Sequence, residues 1–132
     1  MELLLDTHTL LWALLEPEKL PDDVKTAIED INNDIFISTA SLLEIEIKHD
    51  KNDKLMPYSA LDIYHAIVEH ADYILLDIRP EYLFKLKEIK DKGIHKDPFD
   101  HLLIAMAKNE GMVLVTKDRI VEQYHLCKTL MY

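Results

Sequence analysis

The sequence predicts an α/β fold, one domain spanning 1–132 with a central, mostly parallel sheet flanked by helices on both faces. Three observations carry this. Short apolar runs, at 2–6, 35–37, 73–78 and 112–116, alternate along the chain with stretches whose apolar residues recur at helical spacing. Only two glycines and five prolines punctuate 132 residues, too few for an all-β protein with many tight turns. No stretch is low in complexity and nearly half the residues are hydrophobic, so the chain is long and apolar enough to bury a core without staples.

The elements follow in order. ELLLD ends a buried strand on Asp6. THTLLWALLEPEKL is a helix with Thr7 as a candidate cap, Leu10, Leu11, Leu14 and Leu15 at helical spacing, and Pro17 as its stop. Pro21, Asp22 and Asp23 open a second helix whose inner stripe is Val24, Ala27, Ile28 and Ile31, before Asn32-Asn33-Asp34 breaks it. IFI is the second strand. Ser38 or Thr39 then caps a helix through SLLEIEIKHDK, and a further helix runs through Leu61, Tyr64, Ile67 and Val68. YILLDI is a strand, and Pro80 starts a helix with Leu83, Leu86 and Ile89 inward, closed by Gly93. HKDPFDHLLIAMA begins the next helix, which Gly111 ends. MVLVT is a strand, a short helix covers 118–124, and HLCKTL is a weak last strand.

Fifteen basic residues against twenty-five acidic ones give a net charge of −10, which taken globally opposes nucleic-acid binding because phosphate contacts need positive surface. The single cysteine, Cys127, cannot form an internal disulfide and reads as a buried, inert thiol of a reducing compartment. The N-terminus lacks a basic region and its apolar run stops at Asp6, unlike a signal peptide, and no apolar run approaches a membrane span. These features predict a cytoplasmic protein with no membrane partner.

In an open parallel sheet the ligand crevice lies at the carboxyl ends of the strands. Asp6 follows the first strand, Asp118 follows MVLVT after one lysine, Glu44 lies in the helix after the second strand, and Asp100 lies in the first turn of the helix leading into MVLVT. Four carboxylates on different elements can therefore face one crevice. Alone they would repel one another, and a hard divalent cation, Mg²⁺ or Mn²⁺, resolves that repulsion.

Each acid also has a plainer reading. Asp6 and Asp97 are good helix caps, Asp97 with Pro98 at the first helical position, and Asp118 suits a turn. Of Glu44 and Glu46 in LLEIEI one must point outward, and Glu46 is the better solvent candidate. His8, His95 and His101 show no zinc spacing and read as surface or packing residues. Trp12, among leucines, reads as a core anchor and not a base-stacking platform.

LLLDTHTLLW, SLLEIEIK followed by DKL, HKDPFDHLLIAMA and LVTKD, in this order along almost the whole chain, resemble the PIN domain, specifically the VapC-type toxins of bacterial toxin–antitoxin pairs. The resemblance implies a metal-dependent ribonuclease with Asp6, Glu44, Asp100 and Asp118 as catalytic and metal-binding carboxylates, Thr116 as a polar neighbour, and Asp97 as the structural helix cap. It also implies an RNA substrate, a cognate antitoxin and a homodimer. The chain departs from the pattern at Leu43, where the family often has tryptophan, and at Asp53, where it often has glycine; neither is an implied ligand. Lys48, Lys96, Lys117 and Arg119 lie near the acids in sequence and are candidates to hold an RNA backbone, or else ordinary surface cations. Two rival classes stand beside this. One is another Mg²⁺-dependent α/β phosphohydrolase, which DTHT suggests but which His8 opposes by standing where a second aspartate is usual. The other is a non-catalytic PIN-like interaction module, opposed by the retention of all four carboxylates.

Overall fold

A computed structural model describes all 132 residues. Its centre is a five-stranded sheet in the order β3-β2-β1-β4-β5, every neighbouring pair parallel. The strands are β1 (Glu2–Leu5), β2 (Asp34–Ser38), β3 (Ile74–Leu76), β4 (Val113–Thr116) and β5 (Lys128–Met131). Leu4 lies level with Phe36 on one side and Leu114 on the other, so β1 is the central strand. Its three leucines are all fully buried because helices cover both faces.

Side-chain alternation divides those strands between two cores. Leu4 and Leu114 point to one, with α5 (Pro80–Phe84), α6 (Leu86–Lys90), α7 (Pro98–Glu110) and α8 (Arg119–Glu122) supplying Tyr82, Ile89, Ile104, Met106 and Val121. Leu3, Leu5, Ile35, Ile37 and Val115 point to the other, against Leu10 of α1 (Thr7–Leu15), Val24 of α2 (Asp22–Glu29), Ile45 of α3 (Thr39–Lys51) and Ile63 and Ile67 of α4 (Ala60–His70). Burying each of these aliphatic side chains contributes about 1.5–3 kcal/mol. The predicted α/β architecture, with its parallel sheet and two helical layers, is the one observed.

Local signals set most boundaries. Asp6, rather than Thr7, caps α1 by accepting from the Thr9 amide at 2.8 Å, and Ser38 caps α3 by accepting from the Ala40 amide at 2.9 Å. Asp97 caps α7, accepting from the Phe99 amide at 2.9 Å, with Pro98 at the first helical position. Gly111 ends α7 at φ +68°, and the Met112 amide turns back onto the Ala107 carbonyl at 2.9 Å.

Several interior assignments differ from the sequence reading. The helix predicted from Pro80 to Gly93 is two short ones, separated at Lys85. Tyr82, and not Leu83, shares a helical face with Leu86 and Ile89, so it takes the buried place expected of Leu83, which is 47% exposed, and its hydroxyl reaches Glu110 at 2.7 Å. Helix α2 stops at Glu29, leaving Ile31 of the expected stripe outside the core and 96% exposed. On α4 the buried pair is Ile63 and Ile67, four apart, while Leu61, Tyr64 and Val68 face outward. Cys127 is half-buried, and burial pushes its thiol up to about 11. No helix is long and apolar enough to cross a membrane.

Candidate active site

The chain runs from β1 outward through β2 to β3, then returns to the other side of β1 for β4 and β5. The strand order thus reverses between β1 and β4, and a crevice opens at their carboxyl ends. Asp6 follows β1 directly and Asp118 caps α8 just after β4, so the two carboxylates flank that switch point. Helix α3 brings Glu44 to it and the first turn of α7 brings Asp100. All four line one open cleft of about 730 Å³, together with Asp97.

Each carboxylate is held by a specific contact. Asp6 is buried, one oxygen fixed by the Thr9 amide. Glu44 is held on both oxygens: Oε1 accepts from the Thr7 hydroxyl at 2.6 Å and Oε2 pairs with Lys48 at 2.8 Å. The hydroxyl of Ser41, one turn before Glu44 on α3, lies 3.0 Å from the same Thr7 oxygen. Asp118 accepts the Ile120 amide at 2.9 Å, while its own amide donates to the buried Thr116 hydroxyl at 3.0 Å. Asp100 Oδ2 lies 3.0 Å from His95 Nε2.

That histidine belongs to a small network. His95 Nδ1 lies 2.6 Å from the Tyr124 hydroxyl, which also meets His101 Nε2 at 3.0 Å. With the Nε2 proton donated to Asp100, Nδ1 of a neutral ring accepts from the tyrosine. Burial pushes the Asp100 carboxyl up to about 6; the His95 hydrogen bond opposes this, and the charges of Asp97 and Asp118 add to it. The site therefore strains against holding a bare carboxylate, the condition that a bound cation relieves.

The donors are oxygens throughout, and Asp6, Asp100 and Asp118 each keep one oxygen free of protein hydrogen bonds. No three His, Cys, Asp or Glu side chains stand close enough together to hold a metal ion by themselves. An open all-oxygen set fits Mg²⁺ or Mn²⁺, because Mg²⁺ retains several waters and is bound through one or two carboxylates.

The profile of the PIN domain family matches residues 3–125. This chain belongs to the PIN domain family. The PIN domain is similar along its length to solved complexes, among them VapBC2 from Rickettsia felis bound to a promoter DNA fragment (20% identity, 98% of each chain covered, TM-score 0.73). DNA-bound VapBC from Salmonella typhimurium is similar at 20% identity, with 98% of this chain and 97% of that chain covered and a TM-score of 0.72. FitAcB from Neisseria gonorrhoeae matches at 18% identity, 97% and 96% coverage and a TM-score of 0.63. No curated protein matches the sequence.

Within this PIN domain the four carboxylates singled out from sequence reach one cleft, and Thr116 supports the Asp118 turn from beneath. The cations divide differently. Lys48 lines the cleft but is bound to Glu44, and Lys117 lies 4.6 Å from the centre of the Trp12 ring. Lys96 lines a separate hollow, and Arg119 lines neither. Trp12 packs against the core, as expected, but is only half-buried and also forms part of the cleft wall, its ring meeting His8 edge-on at 4.4 Å. Burial, reinforced by Lys117, lowers the His8 imidazole's proton affinity, with Asp6 acting the other way. Sequence reasoning missed the roles of Thr7, Ser41, His95 and Tyr124. The spacing of Ser41 and Glu44 on one helical face held a clue; nothing in the sequence joins His95 to Tyr124.

Proposed function

We propose that this PIN domain is an endoribonuclease dependent on Mg²⁺ or Mn²⁺, hydrolysing RNA phosphodiester bonds as the toxin of a toxin–antitoxin pair. The observation that carries the reading is the meeting of Asp6, Glu44, Asp100 and Asp118 in one cleft at the switch point of the sheet. Asp6, Asp100 and Asp118, each with a free oxygen, and Glu44, braced by Thr7 and Lys48, would hold the cation. When bound, the metal supplies Lewis acidity to the scissile phosphate and acidity to a coordinated water.

The chain's own groups do the rest. The backbone caps on Asp6 and Asp118 fix those side chains against the strand ends. His95 orients Asp100 by meeting its Oδ2 at 3.0 Å, and one of the cleft carboxylates would take the proton from the attacking water. Lys48 offsets one negative charge near the incoming phosphate. Likeness to VapBC and FitAcB complexes supports an antitoxin partner, to be sought by pulldown with the product of a neighbouring gene. A homodimer follows from the same family reading, and light scattering of the isolated chain tests it.

The deciding experiment is cleavage of a structured RNA with Mg²⁺ or Mn²⁺. Asp100→Asn, close to isosteric and still able to bond His95, should lose at least 100-fold in rate while remaining folded. Wild-type protein inert with either metal would remove the nuclease reading, and a fully active Asp100→Asn would remove Asp100 from the catalytic set.

A further inference from the structure

The cleft has too little positive charge to hold RNA. Its nearby cations are committed, Lys48 to Glu44 and Lys117 to the Trp12 face, while Asp6, Glu16, Glu44, Asp97, Asp100 and Asp118 all line it. Yet the chain's positive charge is unevenly spread. Residues 85–96, KLKEIKDKGIHK, hold five of the fifteen basic residues and two of the twenty-five acidic ones, so this segment carries +3 while the other 120 residues carry −13. Both acids are already neutralised in the fold: Asp91 pairs with Lys87 at 2.7 Å, and Glu88 with Lys108 at 3.1 Å. Lys85, Lys90, Lys92 and Lys96 make no ion pair, and the last three are exposed.

Two of these, Lys90 and Lys96, line a hollow of about 710 Å³ together with the Lys87–Asp91 pair, Leu86, Pro98 and His101. Pro98 and His101 lie on the first turn of α7, whose adjoining face presents Asp97 and Asp100 to the cleft. One residue of helix is about 100° of rotation, so hollow and cleft are neighbours around a single helical turn. We infer that the lysine-rich segment 85–96 is the docking surface for the RNA backbone, holding the strand where it leaves the cleft. The inference rests on the ribonuclease reading for the identity of its ligand. A local excess of unpaired cations on an otherwise acidic chain favours a polyanion here, because attraction to phosphate requires positive charge that no carboxylate has already taken. Continuity with the acidic cleft favours the substrate over a separate acidic protein.

The test is binding of a labelled single-stranded RNA to the full chain in EDTA, read by fluorescence anisotropy across a salt series, so that no chemistry is needed. Three double variants are compared with wild type: Lys90→Gln with Lys96→Gln, Lys90→Arg with Lys96→Arg, and, as a control of equal charge change, Lys51→Gln with Lys128→Gln. The expected result is at least tenfold weaker binding for the first pair, with a salt slope shallower by about 0.7 for each phosphate left without its lysine. The arginine pair and the control pair should bind as wild type does. Unchanged affinity and slope in the first pair, or an equal loss in the control pair, would overturn the inference. So would loss of polyglutamate binding with RNA binding intact, which would assign the patch to an acidic protein. Failure here leaves metal-dependent cleavage by wild type untouched, whereas an inert wild type that still binds RNA through Lys90 and Lys96 would sink the nuclease reading alone.

Discussion

Asp97 and Asp100 lie three residues apart on one helix and both border the cleft, yet their surroundings assign them different work. Both hydrogen bonds of Asp97 go to amides of its own helix, Phe99 at 2.9 Å and Asp100 at 3.4 Å. Asp100 instead faces a histidine, and burial raises its proton affinity. Asp97→Ala should therefore cost about 0.5–2 kcal/mol of stability, the usual loss of a cap, and leave most cleavage activity in the folded fraction. Urea melts paired with cleavage rates check this. A stable but inactive Asp97→Ala would transfer the ligand role to that residue. For Asp100→Asn the stability sign is opposite. A carboxyl whose proton affinity is higher in the folded than in the unfolded protein destabilises the fold when forced to ionise. Removing its charge should raise the melting temperature of the metal-free protein at pH 7, and a lower one would mean that burial does not penalise this carboxylate.

At the scale of elements, α7 carries the most. It presents Asp100 to the cleft and buries Leu103, Ile104, Ala105, Met106 and Ala107 beneath the sheet. Its end is as well defined as its beginning. Gly111 adopts φ +68°, and a Cβ placed there would meet nothing within 4 Å, so a substitution is penalised by backbone conformation alone. Gly111→Ala should cost about 1–2 kcal/mol, the price of a left-handed residue with a side chain. Chemical denaturation measures it, and a neutral effect would mean that the helix end relaxes into another turn. The neighbouring α5 and α6 show how such punctuation works in reverse. No glycine or proline marks the break at Lys85, so a continuous helix is the natural expectation from sequence. The two pieces still share one buried face, with Tyr82 in the core on the first, its hydroxyl on Glu110, and Ile89 in the core on the second.

For the whole molecule, the central feature is an acidic cleft in an already acidic protein. Cations that bind only the folded site stabilise it by mass action, about 1.4 kcal/mol at tenfold excess over the dissociation constant. For a domain of this size that is a rise of roughly 4–7 °C in melting temperature. Thermal melts in EDTA and with millimolar Mg²⁺ or Mn²⁺ should show the rise in wild type and its loss in Asp100→Asn. Equal curves in all conditions, with no heat of metal binding by calorimetry, would count against a metal centre.

The strand–helix alternation, a cap at Ser38 or Thr39, the cap at Asp97, the stop at Gly111 and the placing of Asp6 and Asp118 at strand ends were legible in the sequence. All depend on signals a few residues long: apolar period, capping side chains, a residue that tolerates positive φ. The LLEIEI run required one glutamate to face outward and favoured Glu46, but packing decided it by holding Glu44 against Thr7. What required the tertiary structure was everything joining distant segments. Strand order alone puts β4 beside β1 and so brings Asp118 to Asp6 across more than a hundred residues. The His95–Tyr124–His101 network, the capture of Lys48 by Glu44 and the position of Lys117 on Trp12 are likewise products of packing. Local sequence determines which conformation each segment prefers, because those preferences act through the nearest turns of the backbone. Which side chains meet across the sheet is decided by how two apolar faces are buried at once, and that is a property of the chain as a whole.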